Sequence, residues 1–372
     1  MNPRRNAVFF LVAMLGGCGG SNASVTSTLA FATPPPETST LAPVGATLLQ
    51  YNIDPSKIYV VGISSGASAA VQMDVAHSAT FHGAAVYAGT VYWCAGAGGV
   101  AAALDDCGGK TLTSTGSAAY QSTLAQSEAY LDQQSSLGTI DPSSYLRGEP
   151  VYLWSGTQDT VVNPLEMADV AAEYTHYGAH VQFDNTFPAE HGWESPDGQI
   201  ACGTKHSPYM IACDRGGSVY DSVQTWLTMF LGTLAPRNNG TLSGTLTTFD
   251  QTAFGASPAV SMSEKGYIFV PADCANGAQC GLILALHGCL QEARLIGRTW
   301  VDEAGINEWA DTNHLVVLYP DTIPSIKPGP TNPEGCFDWW GYANGGDPNY
   351  ALKSGAQLQV LYAIVSGIAG LN

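Results

Sequence analysis

The chain has 372 residues, 45% hydrophobic and 12% charged, long and apolar enough to bury a sizeable core. Its formal net charge of -18, from 31 acidic and 13 basic residues, repels phosphate backbones and anionic lipid surfaces. That balance excludes a nucleic-acid role built on clustered Lys and Arg, and it favours a neutral substrate over an anionic one.

In chain order, Arg4 and Arg5 precede Ala7–Leu15, an apolar run too short to span a bilayer; residues 1–18 therefore read as an export signal. Leu15-Gly16-Gly17-Cys18 has the form of a lipobox, which would put a lipid on Cys18 and hold an extracytoplasmic protein on a membrane by that lipid alone. The competing reading is an ordinary signal peptide, cut near 17–21, and a secreted product. Residues 19–46, rich in Ser, Thr, Ala and Pro, are expected to be a flexible tether, and 47–372 a single folded domain. Asp54-Pro55 marks a turn before a strand at Lys57–Gly62, and Ser65–His77 is good helix material. Strands are expected at Ala84–Ala88, Pro150–Ser155, Val181–Phe187, Gly266–Val270, Leu282–Leu286 and Leu315–Tyr319. Helices are expected at Ala118–Gln134, Pro164–Tyr177, Ser218–Leu231, Asp302–Asn313 and Lys353–Ile368. The Gly-, Thr- and Ser-rich stretch 232–263 reads as a connecting segment, and 320–347 as a long loop. This alternation predicts a mainly parallel sheet with helices on both faces.

Gly62-Ile63-Ser64-Ser65-Gly66 matches G-x-S-x-G between a strand and a helix, the context in which a serine is exposed as a nucleophile. Such a serine needs a base, and the base an orienting carboxylate. Asp159 lies in a loop after one buried strand and His191 in a loop after the next, giving the order Ser64, Asp159, His191. The backbone N–H of Ser65 is one expected donor to the oxyanion. The second is that of Cys289, in the His287-Gly288-Cys289 turn after Leu282–Leu286. His176 and His180 stand on either side of a helix break at Gly178 with no HExxH or aspartate cluster, so neither a metal nor an organic cofactor is expected.

Nine cysteines occur; without Cys18 eight remain, and in an exported chain that reads as up to four disulfides. Proximity suggests Cys94–Cys107, Cys202–Cys213 and Cys274–Cys280, with Cys289 and Cys336 left over, one of about a hundred arrangements that eight cysteines allow. No CxxC pair is present. One feature of the order is unusual for an α/β-hydrolase fold, since the His-Gly strand follows the proposed base by nearly a hundred residues. Moving residues 263–372 ahead of residue 48 restores the usual order, so a circularly permuted single domain is expected.

Taken together, Val60-Val61-Gly62-Ile63-Ser64-Ser65-Gly66-Ala67, Leu286-His287-Gly288-Cys289-Leu290-Gln291, Trp309-Ala310-Asp311, Val316-Val317-Leu318-Tyr319-Pro320 and Gly335-Cys336-Phe337-Asp338-Trp339-Trp340-Gly341-Tyr342 resemble the poly(3-hydroxybutyrate) depolymerase family of esterases, in its circularly permuted type. The likeness runs from about 48 to 370. It implies Ser64 as nucleophile rather than Ser65, with Asp159, His191 and the amides of Ser65 and Cys289 in the roles given above. Family members commonly have Trp where this chain has Phe337, a departure that bears on polymer preference if the position touches substrate. Trp193, Trp300, Trp339, Trp340 and Tyr342 are candidates to line an apolar groove for a hydrophobic polyester or its oligomers. A monomeric ester hydrolase is the expected product. Its rivals are an esterase for feruloyl or acetylxylan-type esters and a surface protein that binds polymer without turnover.

Overall fold

The run Ile58–Ile63 is apolar at nearly every position, as a strand covered on both faces must be. In the computed structural model, which describes residues 50–108, 118–326 and 331–371, it lies at the centre of an eight-stranded sheet. The strands are β1 (Ile53–Ile63), β2 (Ala84–Tyr87), β3 (Pro150–Trp154), β4 (His180–Asp184), β5 (Thr245–Asp250), β6 (Lys265–Val270), β7 (Cys280–Leu286) and β8 (Leu315–Tyr319). Their spatial order is β5-β6-β8-β7-β1-β2-β3-β4. All pairings are parallel except β5 with β6 and β6 with β8. The expected export signal, lipobox and tether lie outside the described residues.

Side chains alternate across this sheet. Ile58, Val60, Leu282 and Leu284 join one apolar cluster, while Tyr59, Val61, Ile63, Ile283 and Ala285 join the other. The first is covered by α1 (Ser65–Ala76), α2 (Ala118–Leu137), α3 (Pro164–His176) and α5 (Ala356–Ala369), the second by α4 (Ser222–Leu231) and two short helices, Thr299–Glu303 and Ile306–Ala310. α1 is buried along its whole length, and its small residues let it sit directly on the central strands. The α/β-hydrolase architecture expected from the sequence is the one observed. The ends joined in the unpermuted order are adjacent: Tyr51 N–H donates to Ile368 O at 3.1 Å.

Several boundaries differ from expectation. The segment 232–263 is more than a connection, because it contains β5, which pairs antiparallel with all of β6. The expected turn at Asp54-Pro55 is an irregularity inside β1, between Ile53 and Ile58. The helix expected from Ser218 starts at Ser222, where Asp221 caps it by accepting Gln224 N–H at 3.0 Å; Ser218–Val219 instead pairs with Asp214–Arg215. The helix expected over Asp302–Asn313 is broken at Gly305, whose φ of 72 no helix continues through and where a Cβ would stand 2.7 Å from Ser195 Oγ. The strand after α3 ends at Asp184, whose carboxylate is drawn into bonds with Arg215, Tyr152 and Tyr220.

Candidate active site

β1 ends at Ile63 and α1 begins at Ser65, so Ser64 alone turns the chain from strand to helix. It does so at φ 56, ψ −123, a left-handed conformation that costs an L-residue roughly 1–3 kcal/mol and persists only where the surroundings hold it. Ser64 N–H donates to Tyr87 O at 2.8 Å, and Ser64 O accepts from Ser68 N–H at 3.0 Å. The flanking glycines have no room for a side chain. A Cβ on Gly62 would lie 2.3 Å from Gly66 O, and one on Gly66 would lie 2.3 Å from the carbonyl oxygens of both Leu286 and His287. The motif is thus a packing requirement, with the turn and the end of β7 meeting backbone to backbone.

Asp159 follows β3 and His191 follows β4, and the two loops are tied by Thr157 N–H to Phe187 O (2.8 Å) and Gln158 N–H to Ala189 O (3.0 Å). Both side chains are buried, and His191 Nδ1 is 2.8 Å from Asp159 Oδ2. Asp159 Oδ1 accepts the N–H groups of Val161 (2.8 Å) and Val162 (2.9 Å), which leaves Oδ2 for the imidazole. Against a carboxylate, Nδ1 carries the proton and Nε2 is left as acceptor. Among the described residues no hydrogen bond joins the ring to the Ser64 hydroxyl; such contacts are often long in free enzymes and tighten with substrate.

The two amides expected to serve an oxyanion have no protein acceptor among the described residues. Ser65 N–H is the first of α1, where no intrahelical partner exists. Cys289 follows Gly288, and a Cβ on Gly288 would stand 3.1 Å from Ser64 Cβ, so the turn after β7 lies directly against the serine. Cys289 is disulfide-bonded to Cys336, and Cys94–Cys107, Cys202–Cys213 and Cys274–Cys280 are the other pairs. The loop beyond Cys336 reaches the same turn, Phe337 N–H donating to Ser65 Oγ at 3.2 Å. Two clusters of metal-ligand residue types, Asp273-Cys274-Cys280 and Cys289-Glu334-Cys336, are built on disulfide sulfurs and have no thiolate to offer.

The expected aromatic groove needs correction. Trp193 is fully enclosed, its ring 4.0 Å from that of Tyr87 and edge-on to Trp300, with Nε1–H donating to Ala304 O at 3.0 Å. Trp300 and Tyr342 are buried too, and the Tyr342 hydroxyl is spent on Cys336 O at 2.6 Å. Trp193 and Trp300 pack in the second apolar cluster and Tyr342 in the first, so none of the three has an open face. Trp339 and Trp340 keep partial exposure. Phe337 is buried against the His287 ring, centroids 4.8 Å apart.

Three nearby residues were given no role of their own in the sequence. Tyr209 stands edge-on to His191 at 6.2 Å, and its carbonyl accepts Trp193 N–H at 2.8 Å. Gln291 accepts Gly288 N–H at 2.6 Å and donates to Pro208 O at 2.8 Å, bridging the turn after β7 to the loop beyond His191. His287, expected only as part of a His-Gly turn, is wholly buried with its pKa pushed down to about 4 by desolvation, and is therefore neutral.

Poly(3-hydroxybutyrate) depolymerase of Delftia acidovorans is 35% identical over 323 residues, 85% of this chain but only 60% of that protein, so the chain spans less than two thirds of this relative. Polyhydroxybutyrate depolymerase of Talaromyces funiculosus is 34% identical over 345 residues, covering 88% of this chain and 96% of that one. Among solved structures, a PHB depolymerase with a serine-to-alanine substitution, complexed with an R3HB trimer, superposes with a TM-score of 0.74 at 30% identity, over 87% of this chain and 99% of its own. The crystal structure of PHB depolymerase from Penicillium funiculosum gives 0.73 at 30% identity with the same coverage. No protein-family model matches the chain. With a full-length relative at 34% identity and the same fold in both structures, the chain belongs to the polyhydroxybutyrate depolymerase family.

Proposed function

We propose that this protein hydrolyses poly(3-hydroxybutyrate) and its soluble oligomers through an acyl-enzyme on Ser64. His191 Nε2 takes the serine proton as the hydroxyl attacks the ester carbonyl, then delivers it to the departing alcohol. Asp159 holds the Nδ1–H tautomer and stabilises the imidazolium. The N–H groups of Ser65 and Cys289 receive the oxyanion, and water then releases the acid with His191 as base. The observation carrying this reading is the buried 2.8 Å Asp159–His191 pair, set in loops of the same sheet whose central strand ends in the strained Ser64 turn. Of the five aromatics expected to line a groove, Trp339 and Trp340 keep partial exposure and would meet an apolar chain.

The same reading has the protein exported and acting outside the cytoplasm as a monomer. Four disulfides and the residue 1–18 pattern support export, and among the described residues no helix is long and apolar enough to cross a membrane.

The test is release of 3-hydroxybutyrate from amorphous polymer and from soluble oligomers by wild type and Ser64→Ala in parallel. Wild type should release it, and the variant should be slower by roughly 10⁴-fold or more. Release by neither, with a short aryl ester still cleaved by wild type, would move the substrate to feruloyl or acetyl esters. Equal rates for the two proteins would remove Ser64 from the chemistry.

A further inference from the structure

A peptide unit is planar and trans, so its C=O and N–H point in opposite directions and turn together. The Gly288–Cys289 unit carries both the carbonyl of Gly288 and the Cys289 N–H. That carbonyl is gripped from behind, since His287 Nδ1 lies 2.7 Å from Gly288 O. A carbonyl oxygen can only accept, so the proton shared with Gly288 O belongs to Nδ1. On the far side Thr322 N–H, which can only donate, lies 3.3 Å from His287 Nε2, and the Thr322 hydroxyl, donating to Gly335 O, stands at the same 3.3 Å. Nδ1 is therefore the donor to Gly288 O and Nε2 the acceptor for Thr322 N–H. Asp321 Oδ1, of the carboxyl nearest the ring, stands 3.6 Å from Nε2 and itself accepts Ala293 N–H at 2.8 Å. Phe337 closes one face of the ring, and the turn is anchored further by Gly288 N–H to Gln291 and Leu290 N–H to Glu334 O (2.8 Å).

We propose that His287 is a positioning residue for the oxyanion site: by holding the Gly288 carbonyl inward, its Nδ1–H keeps the Cys289 N–H turned outward toward Ser64. The inference rests on the hydrolase reading above and deepens it. Without the grip, the 288–289 plane is free to rotate about the flanking bonds of a glycine, the residue least able to resist, and the donor leaves the place where charge develops.

Two substitutions separate this from plain packing. His287→Asn keeps a side-chain N–H at the δ position, able to reach Gly288 O, and gives up the acceptor for Thr322. His287→Gln moves its amide atoms to the ε position, restoring that acceptor and leaving nothing at δ. Kinetics on a soluble 3-hydroxybutyrate oligomer should show kcat of the glutamine variant reduced about 10²-fold at nearly constant KM, and the asparagine variant within about tenfold of wild type. Binding of phenylboronic acid, whose tetrahedral serine adduct places an oxygen on the oxyanion amides, should weaken in parallel with kcat. Should the glutamine variant fail to fold, imidazole ¹⁵N shifts of His287 in the wild-type chain give an independent reading, with the Nδ1–H tautomer expected throughout pH 6–9. Equal rates for the two variants, or an Nε2–H tautomer, would overturn the inference alone. A wild type that cleaves no ester would overturn the hydrolase reading and this one with it.

Discussion

Asp159 divides its two carboxylate oxygens between different tasks. Oδ1 accepts two backbone N–H groups and shapes the loop, while Oδ2 faces His191. This division makes Asp159→Asn informative. The amide oxygen must stay on Val161 and Val162, because an NH₂ there would meet two donors head-on. The NH₂ is then forced toward His191 Nδ1, which can only accept it by shifting its proton to Nε2, and that nitrogen can no longer take the serine proton. The fold should survive and kcat should fall by about 10⁴-fold. The check is hydrolysis of a soluble oligomer alongside a melting curve: a variant as active as wild type removes Asp159 from the proposed triad, and one that melts far earlier points to a loop role instead.

At the scale of the element, α3 departs from the usual amphipathic pattern. Its inward face carries Glu166, Asp169 and Glu173, three buried carboxyl groups, where apolar residues would be the simple choice. Burial pushes Glu173 up to about 8, although it accepts Tyr92 N–H at 2.9 Å and the Ser127 hydroxyl; Glu128 of α2 and Asp169 raise it further. A carboxyl whose folded pKa is raised holds its proton in the native state after the unfolded chain has lost it. Its stabilising contribution is complete below about 4.5 and is lost as pH rises toward 8. His77 and His287, both pushed down to about 4 by burial, act in the opposite sense, and their contribution is complete above about 6.5. Between 6.5 and 8 the carboxyls are therefore left to set the slope, and the melting temperature should fall across that window. Glu173→Gln, isosteric with the protonated form, should flatten the fall by on the order of 2–4 °C; Glu194, also raised to about 8, keeps some slope in the variant. An unchanged slope would mean that Glu173 is ionised in the folded protein. The helix α3 was expected from the sequence, and in the structure Asn163 caps it by accepting Leu165 N–H with Pro164 in the first turn, but its charges were unreadable as buried. Strands β7 and β8 were legible because sheets covered on both sides demand unbroken apolar runs. The false start at Ser218 and the break at Gly305 were not, since partners distant in sequence decide them. Likewise Trp193, Trp300 and Tyr342 have the composition of a binding groove, and only their depth distinguishes packing from contact.

At the scale of the whole molecule, the motifs are readable in any order, but the sheet is not. β1 is flanked by β7 from the far end of the sequence and by β2 from its own neighbourhood, with Val60 opposite Leu284 on one side and Ala84 on the other. A permuted order was expected from the displaced His-Gly strand. The strand β5 was not legible, because it is an exposed edge strand whose alternation, with Thr245, Thr247 and Phe249 on one face, hides within a Thr- and Ser-rich stretch. On the permuted reading the opening belongs before β5 rather than at 263. A chain opened between Gly240 and Thr241, both exposed, and closed by a short Gly/Ser link from Leu371 to Gln50 should fold with a melting temperature within a few degrees of wild type and keep kcat within about threefold. Closure is short because Tyr51 is already bonded to Ile368. Residues 48–231 alone should fare differently: they retain Ser64, Asp159 and His191 but leave the β1 edge bare and remove Cys289 and the carbonyls of Leu286 and His287 against which Gly66 is packed. Ester hydrolysis by that fragment would show two autonomous halves and end the permuted reading; loss of folding in the fragment, with activity in the reordered chain, would show that the sheet depends on which strands meet and not on the order in which the chain supplies them.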